Sequence, residues 1–296
     1  MVHGVLLLDK PRGWTSHDAV AWVRRRLHTR AVGHGGTLDP AAEGVLLLAV
    51  GVATRLLQYA LEADKSYVAH IVLGAATTTD DLEGELLGDV PETSPPSVEA
   101  IRLALAEFHG VVAQRPPLYS SIKVRGTPAH RKTRAGQQPE LPPRTVEVQR
   151  IELLRYTYPD LVVAIDCRKG FYVRSFARDL GQRLGTQGYV HGLVRTRIGA
   201  FGLDQAWTIR DLEEWLYPET WSLVALHPDT LVGHLPLIVV PESQLPAWYH
   251  GAPVRSAAPT DAEVIARAYA PDGLWIGLAR YDVELAQWRP VLVHRA

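Results

Sequence analysis

The groups in this 296-residue chain best suited to chemistry sit in one stretch, Gly33-His34-Gly35-Gly36-Thr37-Leu38-Asp39-Pro40, followed by Gly44 and an apolar run from Val45 to Val50. Glycines allow tight turns and close approach, and Asp39-Pro40 sets an extended step between them. One carboxylate is thereby presented on a tight loop, with the His34 ring five positions upstream. A flat, bulky substrate can reach a group held this way. Composition alone also allows a plainer reading, in which Asp39 caps a turn and the glycines only serve the bend.

Two further groupings need placing. Lys65 to Gly74 alternates as a half-buried strand, which points Lys65 and Tyr67 to the same face. A tyrosine in a strand ordinarily packs in the core or at its rim. Farther along, Val173, Phe176, Ala177, Leu180 and Leu184 share one helical face, so Arg174 and Arg178 stand together, four apart, off that face. By itself an exposed arginine pair serves solubility.

The order of these residues carries a resemblance. Gly-His-Gly-Gly-Thr-Leu-Asp-Pro, with Gly44 and a buried strand behind it, closely resembles the catalytic loop of the tRNA pseudouridine-55 synthases, the bacterial TruB family. The family form has threonine where this chain has Gly35. Leu8-Asp9-Lys10-Pro11-x-Gly13-x-Thr15-Ser16 resembles the family's opening signature, which buttresses that loop. Lys65-x-Tyr67 is similar to its Lys-x-Tyr element, and Thr77 to Gly84 to its acidic-threonine stretch. Gly170-x-Tyr172-x-Arg174-Ser175 through Gly181 is a second strong match. Gly192 to Phe201 resembles a Leu-Arg-Arg-Thr element in which Val194 replaces the first arginine. Pro116-Pro117-x-Tyr119-Ser120-x-x-Lys123-x-x-Gly126 resembles the RNA-gripping insertion, with His130 where the family continues with tyrosine.

The resemblance implies roles. Asp39 is the essential carboxylate, Arg174 its ion-pair partner, which would lower its pKa, and Tyr67 stacks on the target uracil and helps remove its C5 proton. Tyr172 packs beside the site, Leu193 contacts the flipped base, and His34 fills the space the base vacates. Lys10, Lys65, Arg115, Lys123, Arg125, Arg131 and Arg134 are expected to contact RNA. The implied reaction involves neither redox change nor group transfer, so no cofactor and no metal is expected.

Composition frames these assignments. Charged residues make up 21% and hydrophobic residues 47%, as in a soluble globular protein. The single cysteine, Cys167, excludes an internal disulfide or a multi-cysteine zinc site. No apolar run reaches membrane-spanning length and the start shows no signal pattern, so a cytoplasmic protein is expected. The net charge is only -1, but residues 108 to 139 hold no acid while carrying Arg115, Lys123, Arg125, Arg131, Lys132 and Arg134. Residues 180 to 203 are acid-free too, with Arg183, Arg195 and Arg197, and Arg24, Arg25, Arg26 and Arg30 form a third cluster. Such stripes suit a polyanion held along one face, although solvated surfaces also look this way.

The elements follow from local signals. Gly4 to Leu8 and Val45 to Val50 read as buried strands, Ser16 as the cap of an amphipathic helix, and Ser97 and Thr208 as further helix caps. The stretch from Gln114 to Gly126 has too many turn formers for a regular element and reads as a mobile basic excursion. The expectation is an α+β fold: a mixed, mainly antiparallel central sheet flanked by helices over residues 1–235, with the basic insertion at about 109–140. A small β-rich domain resembling the PUA module is expected over 236–296.

Two other functions stay open at this point. A catalytically silent RNA-binding or tRNA-folding protein would keep the basic insertion and the tail. A nucleoside glycosidase would also act at C1′, but would need a second placed acid. Within the synthase class, the long insertion favours a stand-alone enzyme over an RNA-guided one, and a monomer with tRNA as partner and no obligate protein partner is expected.

Overall fold

The computed structural model describes residues 2–88, 94–120, 122–124, 126–137, 139–259 and 264–295. Strand β1 (Gly4–Lys10) turns at Pro11–Gly13 into helix α1 (Ser16–Arg26). Strand β2 (Val32–His34) then delivers the chain to the glycine loop ahead of β3 (Ala42–Val50). β1 and β3 pair antiparallel, with Leu6 opposite Leu48 and Leu8 opposite Leu46. Their even-numbered leucines enter one core with Ala19, Val20 and Val23 of α1, whereas Val5, Leu7, Val45, Leu47 and Ala49 enter a second core. Both faces of this strand pair are covered, which is why the two sequences are continuously apolar rather than alternating.

The remaining elements extend that pair. After a short 3-10 stretch come α2 (Leu57–Glu62) and β4 (Lys65–Leu73), then α3 (Val98–Ala106) and β5 (Gly110–Gln114). The basic insertion follows as a two-stranded ribbon of β6 (Lys123–Val124) and β7 (Thr127–Pro128) with α4 (Ala129–Arg134). The chain continues through β8 (Arg144–Thr157), β9 (Asp160–Cys167), α5 (Val173–Arg183), β10 (Gly188–Ile198) and β11 (Phe201–Gly202) to α6 (Ile209–Trp215) and α7 (Trp221–Val224).

The central sheet runs β1-β3-β10-β4-β9-β8-β5, with β2 beside β3 and β11 beside β10. β10 runs parallel to β3 and antiparallel to β4, so residues far apart in sequence meet at its middle: Leu193 lies level with Ala42 and Ala69. The mixed, mainly antiparallel sheet and its flanking helices agree with the α+β expectation. A second sheet, in the order β12-β13-β14-β15, is built from β12 (Leu237–Val239), β13 (Ile265–Tyr269), β14 (Trp275–Asp282) and β15 (Gln287–Val293), with α8 (Leu245–Tyr249) beside it. Trp275, Leu278 and Leu292 of this sheet share the second core with Val5 and Leu7. Among the described residues no helix is long and apolar enough to cross a membrane.

Local expectations fare differently. Ser97 accepts from Ala100 N at 3.1 Å, and Thr208 with Asp211 forms a reciprocal cap, both as the sequence signals require. The cap of α1 is Thr15 rather than Ser16, because Asp18 three positions on completes a capping box with it. Ser16 is thereby released for a long-range role. Within Gln114–Gly126, where no regular element was expected, Lys123–Val124 forms β6 against β7, and Ala129 N donates to Ile122 O at 2.7 Å where the short helix that follows begins.

Candidate active site

The glycine loop is clamped from both sides. Against α1, Leu38 N donates to Ser16 Oγ at 2.9 Å and that hydroxyl donates to Leu38 O at 3.1 Å. From the sheet, Arg195 reaches beneath the loop: Nε donates to Val45 O at 2.8 Å, Nη2 to Gly36 O at 3.1 Å and Nη1 to Thr37 O at 3.3 Å. Arg195 is 1% exposed, so these carbonyls stand in for the water it has lost. Gly44 makes the arrangement possible. Its φ is +97°, and a Cβ there would lie 2.3 Å from Arg195 O. Gly35, where the resembled family carries threonine, packs tightly too: a Cβ would stand 3.1 Å from both Ala60 Cβ and Leu47 Cδ2.

Asp39 projects from this clamp onto α5. Its Oδ2 lies 3.0 Å from Arg174 Nε. The guanidinium also reaches Asp81 Oδ2 at 3.4 Å through Nη1, and donates to Thr79 O at 3.2 Å and to Tyr119 O at 2.8 Å. Contrary to the bland reading of an exposed pair, Arg174 is buried, with its side chain 6% exposed. It gathers the loop carboxylate, the acidic-threonine stretch and the insertion at one point. Arg178, one turn on, repeats the pattern with Asp80 Oδ2 at 3.0 Å, Asp179 Oδ1 at 2.9 Å and Arg115 O at 2.9 Å.

The direction of the Asp39 pKa shift departs from expectation. Its side chain keeps 37% of its surface open, yet loss of hydration raises its pKa. Arg174 pulls it back down and Asp81 pushes it up again. The expected lowering by Arg174 is therefore overruled by burial and by the second carboxylate on the same guanidinium.

The other anticipated residues divide. Tyr67 is buried on β4, hydrogen-bonded to Arg195, and burial raises its pKa. Tyr172 caps α5, its backbone bridged to the Gln114 side chain at 2.8 and 3.0 Å and its hydroxyl bonded to Ser120. Leu193 is 9% exposed on β10. His34 ends β2 with its ring against His17. Lys10 does not face an RNA partner. It is fully buried, and its ammonium donates to Trp14 O at 2.7 Å and Pro11 O at 2.9 Å, holding the turn behind the loop. Its pKa is lowered to about 8 by burial. Lys65 likewise turns back, donating to Leu61 O at 3.2 Å. Arg115 and Arg131 are exposed on the insertion. Arg125 and the side chains of Lys123 and Arg134 lie outside the described residues.

Sequence reasoning missed two members of the site, Asp81 and Arg195. Each had a signal. Adjacent acids in a threonine-rich stretch mark Asp81, and alternation places Arg195 on the same buried strand face as Leu193.

The comparisons bear on the same residues. A model described as the N-terminal domain of the TruB family pseudouridylate synthases matches residues 24–173, and one described as the tRNA pseudouridylate synthase B C-terminal domain matches 174–228. A Trichormus variabilis protein named tRNA pseudouridine synthase B is 41% identical over 281 residues, 94% of each chain. The chain belongs to the TruB family. A Synechococcus elongatus protein of the same name is 42% identical to this TruB-family chain over 295 residues, 98% of each. The structure of a Cbf5-Nop10-Gar1 complex matches it with a TM-score of 0.72 at 30% identity, covering 99% of this chain and 84% of that one. A second, an H/ACA RNP bound to a substrate RNA containing 2′-deoxyuridine, matches with a TM-score of 0.71 at 27% identity, with 99% and 84% coverage.

Proposed function

We propose that this TruB-family chain isomerises uridine to pseudouridine at position 55 in the T-loop of tRNA, with Asp39 as the essential carboxylate. The observation that carries the reading is the 3.0 Å pair between Asp39, on its clamped glycine loop, and the buried Arg174. Relatives named tRNA pseudouridine synthase B, at 41–42% identity over nearly the whole chain, support it. The reaction breaks the N1–C1′ bond, turns the uracil and joins C5 to C1′. C5 loses a proton and N1 gains one, so nothing is oxidised and no group leaves.

Attack at C1′, addition to the base and proton removal at C2′ all require Asp39 in its ionised form. Burial opposes that form and Arg174 restores it, while fixing the direction of the carboxylate. The raised pKa of Tyr67 keeps its phenol protonated at neutral pH, which suits the ring to stacking on the uracil. Extruding the uridine costs roughly a few kcal/mol of stacking. His34 fills the vacated place, Leu193 and Tyr172 line the base, and the exposed Arg115 and Arg131, with Lys123, Arg125 and Arg134, offset the cost through phosphate contacts.

The four-stranded C-terminal sheet supports reading residues 236–296 as a PUA-like RNA-binding appendage to a catalytic domain over 1–235. The protein works in the cytoplasm as a monomer on tRNA, without a cofactor. The test is incubation with a T-arm transcript, followed by carbodiimide-dependent primer-extension stops and an assay for free uracil. A stop at position 55 without free uracil is expected. Free uracil would instead mark a glycosidase, and tight binding without a stop would mark a silent RNA-binding protein.

A further inference from the structure

The His34 imidazole is poorly anchored for a group that must enter an RNA loop. Its Nδ1 is buried and has no hydrogen-bond partner among the described residues, so beyond a contact with the Gly36 backbone little polar bonding orients the ring. The ring instead meets His17 of α1, edge to face, with centroids 5.7 Å apart and planes at 67°. His17 is itself exposed, yet its backbone is firmly placed. The Thr15–Asp18 box fixes the first turn of α1, and Ser16 grips Leu38, the residue before Asp39, through both its backbone groups. Any displacement of His17 is therefore resisted by the same clasp that holds the catalytic loop.

We propose that His17 is a positioning residue for uridine isomerisation, its ring holding the His34 imidazole in the orientation that fills the space left by the flipped base. The inference rests on the reading of His34 given above. A second consequence concerns charge. The groups facing His34 are His17 from α1, Arg195 from β10 and the Gly36 backbone of the loop, while Asp18 lies next to His17. Burial, then His17, then Arg195 depress the His34 pKa. At neutral pH the ring is uncharged, so it can take its place in an RNA loop without carrying a charge out of water.

The test compares His17→Ala and His17→Phe with wild type in the full chain, measuring kcat and KM for pseudouridine formation in a T-arm stem-loop. The His34 ring proton is titrated by NMR in each. His17→Ala should raise KM roughly two- to tenfold, the factor an aromatic ring pair supplies, with kcat within about twofold of wild type. His17→Phe, which keeps the edge-to-face contact, should restore KM. In both variants His34 should titrate nearer the ordinary 6.5, because the like charge is gone. An unchanged KM in His17→Ala, a KM in His17→Phe as poor as in His17→Ala, or a His34 titration moved by neither substitution overturns the proposal. Should the alanine variant not fold, the titration in the phenylalanine variant still decides. Absence of pseudouridine with wild type would instead remove the proposed function, while leaving the titration informative about the ring pair.

Discussion

The two faces of the β1–β3 pair are held by opposite means. On the α1 and α5 side, Lys10, Asp81, Arg174 and Arg195 are all at most 5% exposed and converge on a glycine loop, the three cations satisfied by carbonyls or carboxylates and Asp81 by Arg174 and the Glu83 backbone N–H. On the other side, Trp275, Leu278 and Leu292 press the C-terminal sheet onto Val5, Leu7 and Leu47 mainly through apolar surface, with the Tyr269 hydroxyl donating to Asp229 Oδ2 at its edge. Charge burial is costly and directional, and it places the Asp39 carboxylate. Apolar burial is favourable and tolerant of direction, and it supplies the attachment. The face that carries the glycine loop thus depends on stability generated elsewhere in the fold.

Substitutions can separate the two. Trp275→Ala should cost about 3–5 kcal/mol of stability, the usual range for emptying a buried aromatic site, with kcat at low temperature near wild type. Denaturant unfolding and stem-loop kinetics read the two quantities separately. Arg195→Met should do the converse. It frees the carbonyls of Gly36, Thr37 and Val45, and a loop shifted by about 1 Å would lower kcat on the order of a hundredfold while RNA affinity changes little.

A subtler effect is expected from Lys10. With a native pKa of about 8 against the ordinary 10.5, the unfolded chain binds its proton more tightly than the folded one. Between those values the unfolded state carries more protons, so the contribution of this group to stability rises with pH. Unfolding measured across that window in wild type and Lys10→Met should show the wild type gaining relative to the variant as pH increases. A difference that stays flat would mean the ammonium is fully compensated by Trp14 and Pro11.

What could be read from sequence follows the same division. The apolar runs of β1 and β3 and the caps at Ser97 and Thr208 have local causes and are legible as written. The Asp39–Arg174 pair joins residues 135 positions apart (174 minus 39) and is visible only through resemblance to a family. Ser16 looks like a helix cap until Asp18 is seen to select Thr15. Lys10, Arg195 and Asp81 look like surface charges, because the groups that compensate them arrive from the turn at Trp14, the loop at Gly36 and helix α5. The pKa of Asp39 is illegible for the same reason: loss of water around it depends on the assembled site.

The most direct measurement is tritium release from a tRNA transcript labelled at uridine C5, with wild type and Asp39→Asn side by side. The expected result is release by wild type without free uracil, declining on the acid side at a pH above the 3.8 of an ordinary aspartate. Asp39→Asn should release nothing while binding the transcript within about tenfold of wild type, because only the chemistry needs the carboxylate. Turnover by Asp39→Asn at the wild-type rate would contradict the account.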